Sequence, residues 1–185
     1  MGMEKAPAKI DMLHGSLWDK LPRFALPVAA TAILEQLFNA SDIAIVGNFS
    51  SGDKTVAVAA VGANSPLIGL ILNLFIGIAL GANVVIANAI GRKDMQSVKK
   101  AVHTALIVAV LSGIVVTVIG ELVAGKVMGL LRVPDDVFPE ALRYLRIYLL
   151  GLPVIFLYNF EAAVFRSIGD TKIPLQALLI SGVLN

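Results

Sequence analysis

The sequence has 185 residues, of which 57% are hydrophobic and only 15% are charged, with a formal net charge of +2. A soluble domain carries about 25% charged residues, so this composition indicates that much of the surface faces lipid. The absence of cysteine excludes disulfides and thiolate metal sites, and the small net charge gives no support for a nucleic-acid partner.

The N-terminal segment, residues 1–22, is predicted to be cytoplasmic and to contain a short helix in the membrane interface. Leu13, Leu17, Trp18 and Leu21 fall on one helical face. Tryptophan is typical of the interface, and such an amphipathic face suits a helix lying in its plane. The other interpretation is a solvated tail with scattered apolar side chains.

The rest of the sequence is dominated by long apolar segments. A spanning helix needs about 20 mostly apolar residues, because each residue rises about 1.5 Å against roughly 30 Å of hydrocarbon. We therefore predict an all-α membrane protein with about five transmembrane helices within residues 23–185. The predicted spans are residues 23–48, 62–90, 100–124, 141–165 and an incomplete helix at 174–185.

Small residues recur on the second predicted helix. Gly77 and Gly81 are four residues apart, a spacing that lets two helix backbones approach closely inside a membrane. The pair predicts helix packing and carries no information about a substrate.

The distribution of basic residues predicts the orientation in the membrane. When alternate loops are assigned to opposite sides, ten lysines and arginines lie on the side of the N-terminus and five lie on the other side. Cytoplasmic loops carry the excess of positive charge. The N-terminus is therefore predicted to be cytoplasmic in a multi-pass protein of the cell membrane.

Three polar residues interrupt the first predicted span. Glu35 and Asp42 are seven residues apart, so they share one helix face about 10 Å apart along the axis, and Asn39 lies between them. A carboxylate at mid-membrane costs about 3 kcal/mol, so we expect this stripe to face an internal cavity that binds protons or a hard monovalent cation. The alternatives are that Asp42 is hydrated near the outer interface and that Glu35 pairs with a helix outside the sequence.

Five sequence motifs, in order, resemble the multidrug and toxic compound extrusion (MATE) transporters. The first looks like the cytoplasmic lead into helix one, GSLWDKLPRFALP at 15–27, and EQLFNASDIAIVG at 35–47 follows it. VAAVG at 58–62 precedes the basic turn AIGRKD at 89–94. FRSIGDTKIPL at 165–175 is similar to the family's signature between helices four and five. The resemblance covers nearly the whole sequence.

This resemblance implies a fold of two six-helix lobes, of which the sequence supplies most of the first. It also implies antiport of a drug against Na⁺ or H⁺, with no other cofactor and no enzymatic activity. The expected partners are the lipid bilayer, amphipathic and mainly cationic small molecules, and a missing second lobe or second copy of the chain. Because the fifth span ends while still apolar, we expect the sequence to be a fragment of a longer transporter.

The resemblance also implies a coupling-ion site. Asp42 matches the family's aspartate in helix one, Asn159 is the best match for an asparagine in helix four, and Asn185 matches one in helix five. Glu35 departs from the family pattern, because many relatives have glutamine there, and Asn39 joins it as a cavity residue. A second carboxylate on the stripe would change the number of protons that the site exchanges or its preference between ions.

Two other classes of function remain open from the sequence. A lipid-linked sugar flippase of the same superfamily would carry basic residues in its cavity for pyrophosphate, whereas the buried ionisable residues placed here are acidic. A membrane accessory protein or inert half-protein would tolerate Asp42→Asn without loss of function. No converging catalytic set of side chains is recognisable in the sequence.

Overall fold

The computed structural model describes residues 17–50 and 52–184. Within these ranges every regular element is a helix, and the predicted all-α membrane fold with about five helices is confirmed. The first four helices are long and apolar enough to cross a membrane, whereas the fifth is shorter, with 13 residues. The helices are α1 (Leu17–Phe49), α2 (Lys54–Gly91), α3 (Met95–Leu130), α4 (Phe138–Ser167) and α5 (Lys172–Leu184).

The helices extend beyond the predicted spans at several ends. α2 begins at Lys54 rather than at residue 62, and α3 ends at Leu130 rather than at residue 124. Hydropathy detects only the part of a helix that lies in hydrocarbon, while capping decides where the helix ends. At the start of α2 the carboxylate of Asp53 accepts a hydrogen bond from the backbone N–H of Thr55 at 2.8 Å, which is a typical N-cap.

The predicted N-terminal segment is not a separate helix in the part that the structure describes. α1 runs from Leu17 through Pro22 to Phe49 without a break, so the boundary predicted between residues 22 and 23 does not divide two elements. Trp18 is 87% exposed, as expected of a side chain that faces lipid or the interface. Residues 1–16, including Leu13, lie outside the described residues.

α4 is the centre of the bundle and packs most extensively on α3 and α2. Phe156 of α4 is 1% exposed, and its ring stacks on that of Phe75 in α2 with centroids 4.0 Å apart. α1 contacts α2 and α5. The outer surface of the helices is lined by large apolar side chains, which is the pattern expected of a lipid-facing surface.

Side-chain hydrogen bonds tie the central helix to its neighbours. The amides of Asn64 and Asn83 in α2 donate to the carbonyl oxygens of Ala141 and Ala163 in α4, at 2.9 and 2.8 Å. The hydroxyl of Thr117 in α3 donates to a carbonyl of α4 at 2.6 Å. Because lipid offers no alternative partner, these bonds fix the rotation of α4 against both neighbours.

The turn between α4 and α5 explains part of the predicted 165–175 signature. Gly169 has φ 79°, a left-handed conformation that glycine adopts without strain at the end of a helix. Asp170 then accepts hydrogen bonds from the backbone N–H groups of Lys172 and Ile173 at 3.1 and 3.3 Å. Glycine therefore ends one helix and aspartate begins the next.

The glycines that pack in this structure differ from the predicted pair. A methyl group at Gly77 or Gly81 would meet nothing within 4 Å, so neither glycine supports a helix crossing among the described residues. A close approach to another helix's backbone lies instead between α3 and α4, where a methyl group at Gly113 would lie 2.5 Å from the Cα of Pro153. Spacing alone does not reveal which face of a helix meets a neighbour.

We expect Gly113→Ala to destabilise the protein, because the new methyl group would meet backbone atoms of α4 that cannot rotate away. Overpacking of this kind costs about 1–3 kcal/mol, which should lower the thermal unfolding midpoint of the detergent-solubilised protein. Gly77→Ala is the matched control, since it adds the same methyl group on open helix surface. Equal midpoints for the two variants would contradict the close crossing.

Candidate functional site

A polar cavity of about 430 Å³ lies between α1, α2 and α4. Its floor is apolar, with Ile68 and Leu72 among the lining residues, and polar groups from all three helices face the same space. Since polar groups inside a membrane bundle normally face other protein or water, the cavity is the candidate site. The polar lining residues are Glu35, Gln36, Asn39, Asp42, Ser65, Asn73, Tyr144 and Tyr148.

The acidic stripe predicted on the first span lies along this cavity. Glu35, Asn39 and Asp42 all line it, because α1 is continuously helical over these residues and brings positions four and seven residues apart onto one face. Glu35 is half-buried, and the other two side chains are exposed within the described part of the protein. The cavity therefore carries two carboxylates and an amide along one wall.

α4 supplies the opposite wall with two aromatic side chains. Tyr144 and Tyr148 are one helical turn apart, and their ring centroids are 6.3 Å apart. Asp42 interacts electrostatically with Tyr144 across the cavity. Carboxylates that face aromatic rings provide both charge attraction and cation–π contacts for an organic cation.

Glu35 lies near a second group of charged and polar residues. It interacts electrostatically with Arg166, at the end of α4, and with Tyr158. The hydroxyl of Tyr158 donates to the carbonyl of Pro174 in α5 at 3.2 Å. The two carboxylates thus have different surroundings, because Glu35 interacts with a guanidinium and a phenol, whereas Asp42 interacts with the phenol of Tyr144.

α2 adds two polar side chains that each donate a hydrogen bond to the preceding turn of their own helix. The Ser65 hydroxyl donates to the carbonyl of Val61 at 3.1 Å, and the Asn73 amide donates to that of Gly69 at 2.8 Å. Bonds of this kind to the preceding turn leave the side-chain oxygen of each residue available as an acceptor. The cavity is consequently rich in acceptors, which suits a cationic or hydrogen-bond-donating guest.

The other predicted site residues are not brought to this cavity. Asn159 is not among its lining residues, and its amide donates to the carbonyl of Ile155 at 2.9 Å. Asn185, predicted as the helix-five ligand, lies outside the described residues. Residues 17–50 and 52–184 hold no cluster of three or more histidines and carboxylates that could bind a metal ion. The predicted trio of Asp42, Asn159 and Asn185 therefore stays a prediction.

Sequence reasoning missed the two cavity tyrosines and Ser65. Tyr144 and Tyr148 are four residues apart in α4, a spacing that places both on one face. This signal could have indicated a polar face on α4. The sequence could not indicate that the face opposes Asp42, because that depends on how α1 and α4 pack against α2.

Helices of membrane-spanning length around an acidic, acceptor-rich cavity define an α-helical multi-pass membrane protein with a polar site between its helices. A family model described as MatE matches residues 27–185. The chain belongs to the MATE family. The resemblance predicted from the five sequence motifs is thereby confirmed.

A relative from Bacillus subtilis agrees with this assignment. The chain is 31% identical over 170 residues to "Probable multidrug resistance protein YoeA" of Bacillus subtilis (strain 168), covering 92% of this chain. The chain spans 36% of the length of that protein.

Two solved structures share the fold. One, described as "Crystal structure of MATE in the bent conformation", superposes with a TM-score of 0.81 at 22% identity, over 90% of this chain and 36% of the other. The second is described as "Reverse polarity of binding pocket suggests different function of a MOP superfamily transporter from Pyrococcus furiosus Vc1 (DSM3638)". It has a TM-score of 0.83 at 22% identity, over 95% of this chain and 38% of the other.

Proposed function

We propose that this chain forms part of a secondary transporter that exports amphipathic organic cations in exchange for Na⁺ or H⁺. The observation that carries the proposal is the cavity in which Glu35 and Asp42 face Tyr144 and Tyr148. The Bacillus subtilis relative is named "Probable multidrug resistance protein YoeA", which supports a drug as the transported molecule. Acidic rather than basic groups in the cavity favour cations over phosphate-bearing lipids.

The mechanism follows from competition for the same carboxylates. An organic cation is attracted to the acidic stripe and stacks on the tyrosines, while a proton or sodium ion neutralises the carboxylate charge that attracts it. Binding of the coupling ion therefore weakens drug binding, and loss of the ion restores it. Alternating exposure of the cavity to the two sides of the membrane converts this competition into antiport.

The proposal includes the orientation and the rest of the assembly. Basic residues are concentrated in the loops on the side of the N-terminus, which supports a cytoplasmic N-terminus in the cell membrane. A cleft with alternating access needs a second lobe. We assign that lobe to further sequence of the same protein or to a second copy, in line with the 36% coverage of the multidrug resistance relative.

Efflux from cells tests this function. Cells that express the protein at its full natural length should extrude a fluorescent hydrophobic cation faster than control cells, because the acidic cavity favours positive charge. The proton gradient and the sodium gradient are collapsed in separate experiments. The collapse that stops the extrusion identifies the coupling ion. An uncharged dye of similar size is the matched control. Extrusion of both dyes alike, or extrusion that survives the loss of both gradients, would exclude the proposed antiport.

A further inference from the structure

A second groove, of about 460 Å³, lies on the outside of the bundle between α2 and α3. It is separate from the acidic cavity, because the two share no lining residue. Phe160 of α4 and Ala105 form its floor, at 1% and 5% exposure. We name it the lateral groove.

The lateral groove exists because short side chains lie between longer ones. On α2, Ala82 lies between Ile78 and Val85 at helical spacing, and both larger side chains are substantially exposed. On α3 the facing positions include Ala101 and Thr104. A groove with mainly apolar walls therefore opens on the outside of these helices.

The dimensions of the lateral groove match one lipid leaflet. Along α3 it extends from Ser97 to Val108, which is about 16 Å at 1.5 Å per residue. Half of a 30 Å hydrocarbon core is about 15 Å. A single acyl chain that enters at the membrane surface would fill the groove over the depth of its own leaflet.

Positive charge is present at one end of the lateral groove only. Lys100 lines the groove, and the exposed residues Arg92, Lys93 and Lys99 lie at or next to the turn that joins α2 to α3. Asp94 is the acidic residue of this turn, where its carboxylate accepts hydrogen bonds from the Ser97 hydroxyl and backbone N–H at 2.6 and 3.0 Å. These bonds hold the pKa of Asp94 below its usual range, so it caps α3 as a carboxylate and leaves the lysines to contact a ligand.

We propose that the lateral groove binds one anionic phospholipid from the leaflet on the side of the basic turn, with an acyl chain along the alanines and its phosphate on Lys100. An anionic phospholipid matches both parts of the groove, because its headgroup complements the basic end and its acyl chain complements the apolar walls. Basic pockets between transmembrane helices are known to select such headgroups. This site is independent of the transported substrate.

Native mass spectrometry of the protein at its full natural length tests the site. The protein in detergent is titrated with dioleoyl phosphatidylglycerol and, separately, with dioleoyl phosphatidylcholine, and the bound lipids are counted. We expect one anionic lipid to bind more tightly than the zwitterionic one. Lys100→Gln should weaken that binding about fivefold, since a lysine near an anionic headgroup is worth about 1 kcal/mol, and Lys100→Arg should preserve it.

Two pairs of variants separate this site from general lipid adhesion. Val108→Trp fills the deep end of the lateral groove and should reduce binding of both lipids, whereas Val115→Trp, two turns further along the exposed face of α3, should not. Lys126→Gln removes a lysine near the other end of α3 and should leave the preference for anionic lipid intact. The proposal fails if Lys100→Gln behaves like Lys126→Gln. It also fails if the wild-type protein binds no lipid in this titration, the result expected if other parts of the protein cover the groove.

Discussion

Asp42→Asn is expected to reduce gradient-driven export of a hydrophobic cation about tenfold, which corresponds to the loss of about 1.4 kcal/mol of charge attraction. Asparagine keeps nearly the same size and polarity but removes the negative charge that faces Tyr144 across the cavity. The variant can neither attract the organic cation nor exchange it for a proton or sodium ion at this position. Initial rates of dye efflux, normalised to the amount of protein in the membrane, measure the effect.

Asp53→Asn is the matched control for that experiment. Asp53 lies at the N-cap of α2, outside the lining of the cavity, and asparagine is an equally good N-cap. The control should export the dye at the wild-type rate. If Asp42→Asn also exports at that rate, the acidic cavity is not the transport site and an accessory or scaffold role becomes the better interpretation.

The fold was largely predictable because a membrane imposes a strong local constraint. Long apolar runs must become helices when no water is present to satisfy the backbone, so the number and type of elements could be read from the sequence. The helix ends were less predictable, since Asp53 and Asp94 extend α2 and α3 as caps outside the apolar runs. Packing was least predictable, as the contrast between Gly77 and Gly113 demonstrates.

The candidate site was predictable on one wall only. Glu35, Asn39 and Asp42 stand out because polar residues in a span are costly, and one helix fixes their mutual positions. Tyr144 and Tyr148 carry no such penalty, because a tyrosine ring is compatible with an apolar helix face. Their position opposite Asp42 results from contacts between helices that are distant in the sequence.

The two carboxylates are expected to differ in function because their neighbours differ. Asp42 lies near a tyrosine, while Glu35 also interacts with Arg166. Glu35 could act as a counterion of Arg166 or as a second exchangeable site, and the ion stoichiometry distinguishes these two roles.

Glu35→Gln is expected to preserve export but to lower the number of coupling ions moved per drug molecule by about one, since a carboxylate that takes up and releases a proton carries one charge per cycle. Glutamine keeps the hydrogen-bonding capacity of the side chain while removing its charge. Proteoliposomes that report drug flux and ion flux together measure the ratio directly. Glu161→Gln is the control, because Glu161 lies on α4 outside the cavity lining.

An unchanged ion-to-drug ratio in Glu35→Gln would instead point to a role for Glu35 beside Arg166. If Glu35 serves as a fixed counterion, its removal leaves the guanidinium without a partner near the end of α4, and the thermal unfolding midpoint should fall while the ion-to-drug ratio stays unchanged. Arg166→Gln would then lower the midpoint in the same way, and the double variant would restore part of the loss, because neither charge would remain alone. A changed ratio with an unchanged midpoint, by contrast, assigns Glu35 to the transport cycle together with Asp42.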